Sequence, residues 1–135
     1  MNLKDYLAIS GLPGIYRLVG SRSNGLIIED VEGKRKFVSS RKHQFTPLES
    51  IAIYTDDGES TELKNAFQSM LEQYQDNPPV AANASGEELR EYFADVLPTF
   101  DKNRVHIGDI KKVVKWFSFM YEYDLLKADP ADEEE

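Results

Sequence analysis

The chain has 135 residues, close to one typical domain, and 24 acidic against 16 basic side chains leave it with a formal charge of −8. With 41% hydrophobic residues and no apolar run near the ~20 residues of a membrane-spanning helix, it is expected to fold away from membranes. Zero cysteines exclude disulfides, thiolate metal sites and cysteine nucleophiles. Because the start lacks the layout of a secretory signal peptide, we expect a cytoplasmic protein.

The first part of the chain is predicted to be β-rich. Leu3, Tyr6 and Leu7 have helical spacing and predict a short opening helix, which residues 11–14 (Gly-Leu-Pro-Gly) would end. From Ile15 the hydrophobic period changes to two, which predicts a strand. Three more short strands are expected, at residues 26–31, 34–39 and 51–55. Four short strands in sequence predict a small SH3-like antiparallel half-barrel.

The second part of the chain is predicted to be helical. An apolar stripe at i, i+3, i+4 and i+7 spacing over residues 63–74 predicts an amphipathic helix. Paired prolines then interrupt the chain. Ser85 and Glu88 form a capping box that opens a helix ended by Pro98, and a last helix is expected from near Asp109. These last two helices predict a hairpin.

Together these elements predict an α+β fold in four segments. They are a β-rich module with a closing helix at residues 1–75, a linker at 76–84, a helical hairpin at 85–127 and an acidic tail at 128–135. The tail is expected to be disordered and solvated because acidic residues dominate it and it has no apolar period.

The last helix has two apolar faces. One contains Ile110, Val113, Val114, Phe117, Met120 and Tyr121. The other contains Trp116, Phe119 and Tyr123, together with Lys112. Since a helix apolar on two sides is normally buried between two layers, the second face needs the β module, a second copy of the chain or a protein partner against it. Trp116, Phe119 and Tyr123 are therefore the candidate docking residues.

A basic cluster lies within a stretch that contains no acid, residues 33–48. Its members are Lys34, Arg35, Lys36, Arg41 and Lys42. Small β-barrels present surfaces of this kind to RNA or DNA, so nucleic-acid binding is an alternative function. A charged edge strand that resists unwanted pairing would explain the same residues.

The sequence lacks the motifs that carry catalysis or hold cofactors. Gly20 and Gly25 have the glycine spacing of a phosphate-binding loop, but Leu26 and Ile27 stand where the lysine and hydroxyl are required. His43 and His106 have no metal-ligand spacing. We therefore expect no catalytic residue, no metal site and no cofactor. An enzyme whose site assembles from dispersed carboxylates and a histidine is a third alternative.

Several separated motifs resemble a small uncharacterised bacterial family. The opening has the pattern LKDxLAISGxPGxY, and residues 48–57, 96–105 and 109–113 continue the resemblance in order. Gly108 departs from it, since we expect a serine cap there. The resemblance implies a β-rich part followed by a helical part, and it assigns no activity. The sequence is therefore interpreted as a non-catalytic binding or adaptor module, with a protein partner or self-association expected.

Overall fold

The structure is a computed structural model that describes residues 3–126, and the predicted acidic tail lies outside this range. Within it the chain forms β1 (Tyr6–Ile9), β2 (Ile15–Arg22), β3 (Gly25–Glu29), β4 (Arg35–Ser39), β5 (Phe45–Pro47), a 3-10 turn (Leu48–Ser50), β6 (Ala52–Tyr54), β7 (Ser60–Glu62), α1 (Leu63–Gln73), α2 (Gly86–Val96) and α3 (Ile107–Glu122). The predicted order of β-rich and then helical elements is confirmed.

Strands β1 to β5 form an open antiparallel sheet in the order β4-β3-β2-β1-β5. The last predicted strand, β6, does not extend this sheet but pairs with β7 in a separate hairpin. Gly58 makes that hairpin turn with a φ of 86°, a conformation that glycine adopts at low cost. The predicted α+β class with an antiparallel sheet is thus confirmed, and the SH3-like curvature stays a prediction.

The predicted opening helix is wrong, because Tyr6 and Leu7 belong to β1 and residues 4–5 form a turn before it. Strand β1 lies inside the sheet and pairs with both β2 and β5. Asp5 precedes it with a φ of 69°, which interrupts any helical path. A short run of consecutive apolar residues has no period that distinguishes helix from strand, and pairing on both sides selects the strand here.

The three helices predicted for the second part of the chain are present. The Ser85 hydroxyl accepts the Glu88 N–H at 3.1 Å, which confirms the predicted cap of α2. Helix α3 begins at Ile107, two residues earlier than expected, and the Asp109 carboxylate accepts the His106 N–H at 2.9 Å. No helix in residues 3–126 is long and apolar enough to span a membrane.

The larger core cluster joins the three helices to one face of the sheet. The Phe67 and Phe117 rings meet edge to face at 5.8 Å between centroids and link α1 to α3. Leu3 and Ile15 contribute from the β-rich part. Buried residues on both sides of the predicted 76–84 linker thus share one core, while the division into domains there stays a prediction.

A second, smaller cluster lies on the opposite face of the sheet. Its buried members are Leu7, Ile9, Ile28 and Val38. They come from β1, β3 and β4, and the half-buried residues packed on them come from the sheet and its loops. Ile28 is fully buried although no helix residue belongs to this cluster.

Candidate functional site

The second apolar face of α3 is turned toward the sheet and is partly covered by it. Trp116 and Phe119 are half-buried, whereas Tyr123 is 45% exposed. The Phe119 ring rests on Gly14 of the β1–β2 loop so closely that a Cβ there would be 2.6 Å from Cε2. On its other side the Phe119 ring lies 4.7 Å from the Tyr123 ring. The three predicted docking residues therefore lie side by side, and Tyr123 is more exposed than Trp116 and Phe119.

Two adjoining grooves run along α3, one between the helix and the sheet and the other between the helix and the β6 segment, and we call them together the α3 cleft. The larger has a volume of about 530 Å³ and is bordered by Phe119 and by the β1–β2 loop at residues 12–14. The smaller, about 260 Å³, extends past Val105 and Tyr54. Both are lined by Thr46, Lys112 and Trp116. Trp116 therefore stands at the junction of the two grooves.

The charged residues that line the α3 cleft are three cations, Arg104, Lys112 and Lys115, and one carboxylate, Asp109. Lys112 and Lys115 are exposed along the cleft, and neither forms an ion pair with any residue in 3–126. Arg104 stands at the other end, with its guanidinium 5.1 Å from the Tyr54 ring centroid and 3.8 Å from the Asp101 carboxylate. The arrangement offers an apolar slot beside two cations with no protein counterion.

The predicted basic cluster surrounds β4 but does not form one surface. Successive strand residues point to opposite faces, so Arg35 and Lys36 are separated by the sheet. Arg35 Nε lies 3.1 Å from the Glu29 carboxylate, and Lys34 lies 3.4 Å from Glu32. The Lys36 ammonium lies 5.7 Å from the Tyr16 ring centroid.

The remaining two cations of the cluster, Arg41 and Lys42, are exposed in the turn that follows β4. Within the described range neither has an ion-pair partner. Two of the five predicted basic residues are therefore already neutralised by a neighbouring carboxylate, and three are not.

Glu29 links β2, β3 and β4 through two arginines, and this makes stability depend on pH. Hydrogen bonds from Arg17 and then from Arg35 lower the pKa of the Glu29 carboxyl below its ordinary value of 4.5. A lowered folded-state pKa contributes stability above the ordinary pKa, and that contribution is lost as the pH falls through the lowered value. We expect Glu29→Gln to lower the urea midpoint at pH 7, and this difference from wild type to shrink below pH 4.5.

Glu32→Gln is the matched control for this prediction, because Glu32 pairs with a single lysine and its side chain is 69% exposed. Its urea midpoint should stay near that of the wild type at pH 7. A Glu29→Gln difference that is the same at pH 7 and pH 3 would contradict the prediction.

The histidines and buried polar groups do not assemble a catalytic cluster in residues 3–126. His43 Nδ1 lies 2.7 Å from the Ser10 carbonyl oxygen and ties two loops together, while His106 precedes α3. Neither lines the α3 cleft. Two buried side chains in this range carry a polar group. The Thr55 hydroxyl donates to Asp57 at 2.6 Å, and the Tyr92 hydroxyl is enclosed in the core without a hydrogen-bond partner. No group of three histidine or carboxylate side chains in the range is placed to hold a metal.

Sequence reasoning missed the wall of the cleft that faces α3. Residues 12–14 were interpreted only as a chain break, and Thr46 belongs to a three-residue strand with no pattern of its own. Residues 12–14 and Thr46 line the cleft because they pack near α3, which is far from them in the sequence. The spacing of the last helix places Lys115 on neither apolar face and gives no sign that it borders a cleft.

Comparison with known proteins gives matches along most of the chain. A domain of unknown function (DUF5606) matches residues 3–48, and another domain of unknown function (DUF6852) matches residues 51–120. A solution NMR structure from Bacteroides vulgatus, a structural genomics target, is similar with a TM-score of 0.74 and 36% sequence identity, over 92% of this chain and 89% of that one. No curated protein matches. The predicted resemblance to an uncharacterised family is confirmed.

Proposed function

The chain belongs to the family defined by the domain of unknown function DUF6852, with a DUF5606 match ahead of it, and from this premise we propose that it is a non-catalytic protein-binding module. The docking surface is the α3 cleft with Trp116, Phe119 and Tyr123. The observation that carries the proposal is an aromatic face left half-covered beside two lysines that have no counterion in the described range.

The occupant is a segment of a partner protein with an apolar side chain next to a carboxylate. Trp116 and Phe119 supply the aromatic area that dominates binding energy at protein interfaces. Lys112 and Lys115 supply the complementary charge, which selects acidic partners and speeds association. Each lysine lies one helical turn before one of the aromatic residues, so one segment along α3 would contact both kinds of group.

A binding role is favoured over catalysis by the polar groups of the described residues. Acid–base catalysis commonly uses carboxylates or histidines whose pKa is shifted by burial. Here the carboxylates and histidines are at least partly exposed, and the buried polar side chains are the hydroxyls of Thr55 and Tyr92. A cytoplasmic location, expected from composition, belongs to the same proposal.

An SH3-like curl of the sheet also belongs to the proposal. It is supported by the complete burial of Ile28 in a cluster that contains only sheet and loop residues. A sheet that curls covers its own inner face, which is how small barrels bury side chains without a helical layer.

Site-specific photo-crosslinking in cells tests the docking proposal. A photoreactive residue replaces Lys115 at the cleft, and in a matched variant it replaces Lys111, which is exposed on the same helix but does not line the cleft. We expect the Lys115 variant to capture a distinct protein and the Lys111 variant not to. The adduct should survive nuclease.

The other outcomes overturn the proposal in identifiable ways. An adduct with the mass of two copies indicates self-association, and an adduct that nuclease removes indicates nucleic acid. Equal adducts from both positions, or none, exclude the cleft as a docking site. With the captured partner in hand, Trp116 is the single tryptophan of the chain and its fluorescence reports occupancy directly.

A further inference from the structure

The free edge of β4 is a second surface with the properties of a binding site. In the sheet order β4 is terminal and pairs only with β3. Asp30 donates its N–H to the Lys34 carbonyl at 2.9 Å, and Ser40 donates to the Asn24 carbonyl at 3.0 Å. These two bonds fix the hydrogen-bonding pattern between β3 and β4. Every second residue, Lys36 and Val38 within β4, directs its backbone N–H and C=O groups toward β3.

The other residues of β4 direct their backbone N–H and C=O groups away from the sheet. Arg35 and Phe37 therefore point both N–H and C=O outward, and Ser39 points its N–H outward. In residues 3–126 these outward groups have no hydrogen-bond partner, whereas the Ser39 carbonyl accepts the Lys42 and His43 N–H groups. Strand β4 contains no proline, and the Phe37 side chain is 47% exposed. The edge is thus open to an added strand.

Positive charge encloses this edge although the whole chain carries −8. Lys34 stands before the strand, Arg35 and Lys36 flank it on opposite faces, and Arg41 and Lys42 follow it. No acid occurs between residues 33 and 48. Lys36, Arg41 and Lys42 have no ion-pair partner within the described range. Charges on an edge keep unmatched strands away, and the same charges favour a strand of opposite sign.

We propose that the β4 edge binds an extended acidic segment of a partner protein by strand addition. The main chain of the segment pairs with Arg35, Phe37 and Ser39, while its carboxylates meet cations on both faces. This surface is distinct from the α3 cleft, so the inference goes beyond the proposed function and gives an adaptor a second place to bind.

A peptide fits this surface better than a nucleic acid does. Unpaired backbone N–H and C=O groups in strand spacing are complementary to another peptide chain. Single-stranded nucleic acids instead require a continuous cationic groove with stacking aromatic residues. Here the cations are divided between two faces, and Phe37 is the one aromatic residue on the strand.

The test uses NMR of the full-length protein labelled with nitrogen-15 and a nine-residue peptide in which pairs of valines alternate with pairs of glutamates. Successive strand residues point to opposite faces, so this peptide presents carboxylates on both faces of the added strand. Two peptides of the same length, with lysine or glutamine in place of glutamate, are the controls. We expect only the acidic peptide to bind well and to slow amide exchange at Arg35, Phe37 and Ser39. The amides of Lys36 and Val38, already bonded to β3, are internal references.

Charge-reversing variants locate the binding on the edge. Lys36→Glu, Arg41→Glu and Lys42→Glu should each weaken the acidic peptide about two- to fivefold, the range for exposed ion pairs. Lys111→Glu, at an exposed helix position that lines neither groove of the α3 cleft, should leave this affinity unchanged. The affinity is read from the Arg35, Phe37 and Ser39 amides, which lie outside the cleft, so a failure here is distinguishable from a failure of the proposed docking site.

Three results would overturn the inference. They are no binding of the acidic peptide at millimolar concentration, equal binding of all three peptides, and binding without protection of the Phe37 amide. A 12-nucleotide single strand of DNA is titrated in parallel. Binding of this strand tighter than that of the acidic peptide would assign the edge to nucleic acid.

Discussion

Replacing Phe117 with alanine will lower the free energy of unfolding by about 4 kcal/mol, in the range found for fully buried Phe→Ala changes. The Phe117 ring is completely buried in α3. It contacts Phe67 edge to face and lies 6.2 Å from the Tyr74 ring, so its removal leaves a cavity between α1 and α3. Urea unfolding followed by circular dichroism measures the loss.

Phe37→Ala is the matched control, since it removes the same atoms from a side chain that is 47% exposed. Its effect should stay below about 1 kcal/mol, as expected for a surface position. Similar losses for both variants would mean that the α1–α3 contact does not stabilise the core as the structure indicates.

Gly14→Ala is the second large effect, because two costs coincide at this position. The φ of Gly14 is 84°, where an alanine costs about 1 to 2 kcal/mol. Its Cβ would also lie 2.6 Å from the Phe119 ring, and overpacking of this kind costs about 1 to 3 kcal/mol. We therefore expect a total loss of about 2 to 5 kcal/mol in urea unfolding.

Gly33→Ala separates the two costs. Gly33 has the same φ of 84° but nothing within 4 Å of the added Cβ, so only the backbone cost applies. Gly14→Ala should lose more unfolding free energy than Gly33→Ala, and this difference should become smaller when Gly14→Ala is made in a Phe119→Leu background. Equal losses at the two glycines would show that the β1–β2 loop does not rest on α3, and the α3 cleft would then lose its wall.

Local sequence patterns predicted some of the strands and not others. Strands β2, β3 and β4 follow from alternation and turn residues. Strand β1 does not, because all four of its residues are apolar and at least half-buried. Strand β5 has only three residues, the last of them a proline, and is a strand only because β1 lies beside it. For β6 the pattern predicted the strand correctly but not its partner.

For the candidate docking face, too, the sequence predicts one part and the fold supplies the other. Helical spacing alone placed Trp116 and Phe119 on a second apolar face, because the period of an α-helix is rigid. How much of that face is covered depends on Gly14, about a hundred residues away, and on its lack of a side chain. The sequence contains no local signal that these two positions meet.

Residue patterns and composition were enough to establish the α+β class, the three helices with the Ser85 cap, and the absence of cysteine chemistry. The helices and the cap depend on residues within a few positions of one another, where backbone geometry imposes the pattern, whereas the absence of cysteine chemistry follows from composition alone. The fold, and no local pattern, establishes that β1 is a strand, that β4 is an open edge, and that the α3 cleft joins Trp116 to the β1–β2 loop. Those features depend on which distant segments bury each other's apolar surface, and periodicity contains no information about the partner.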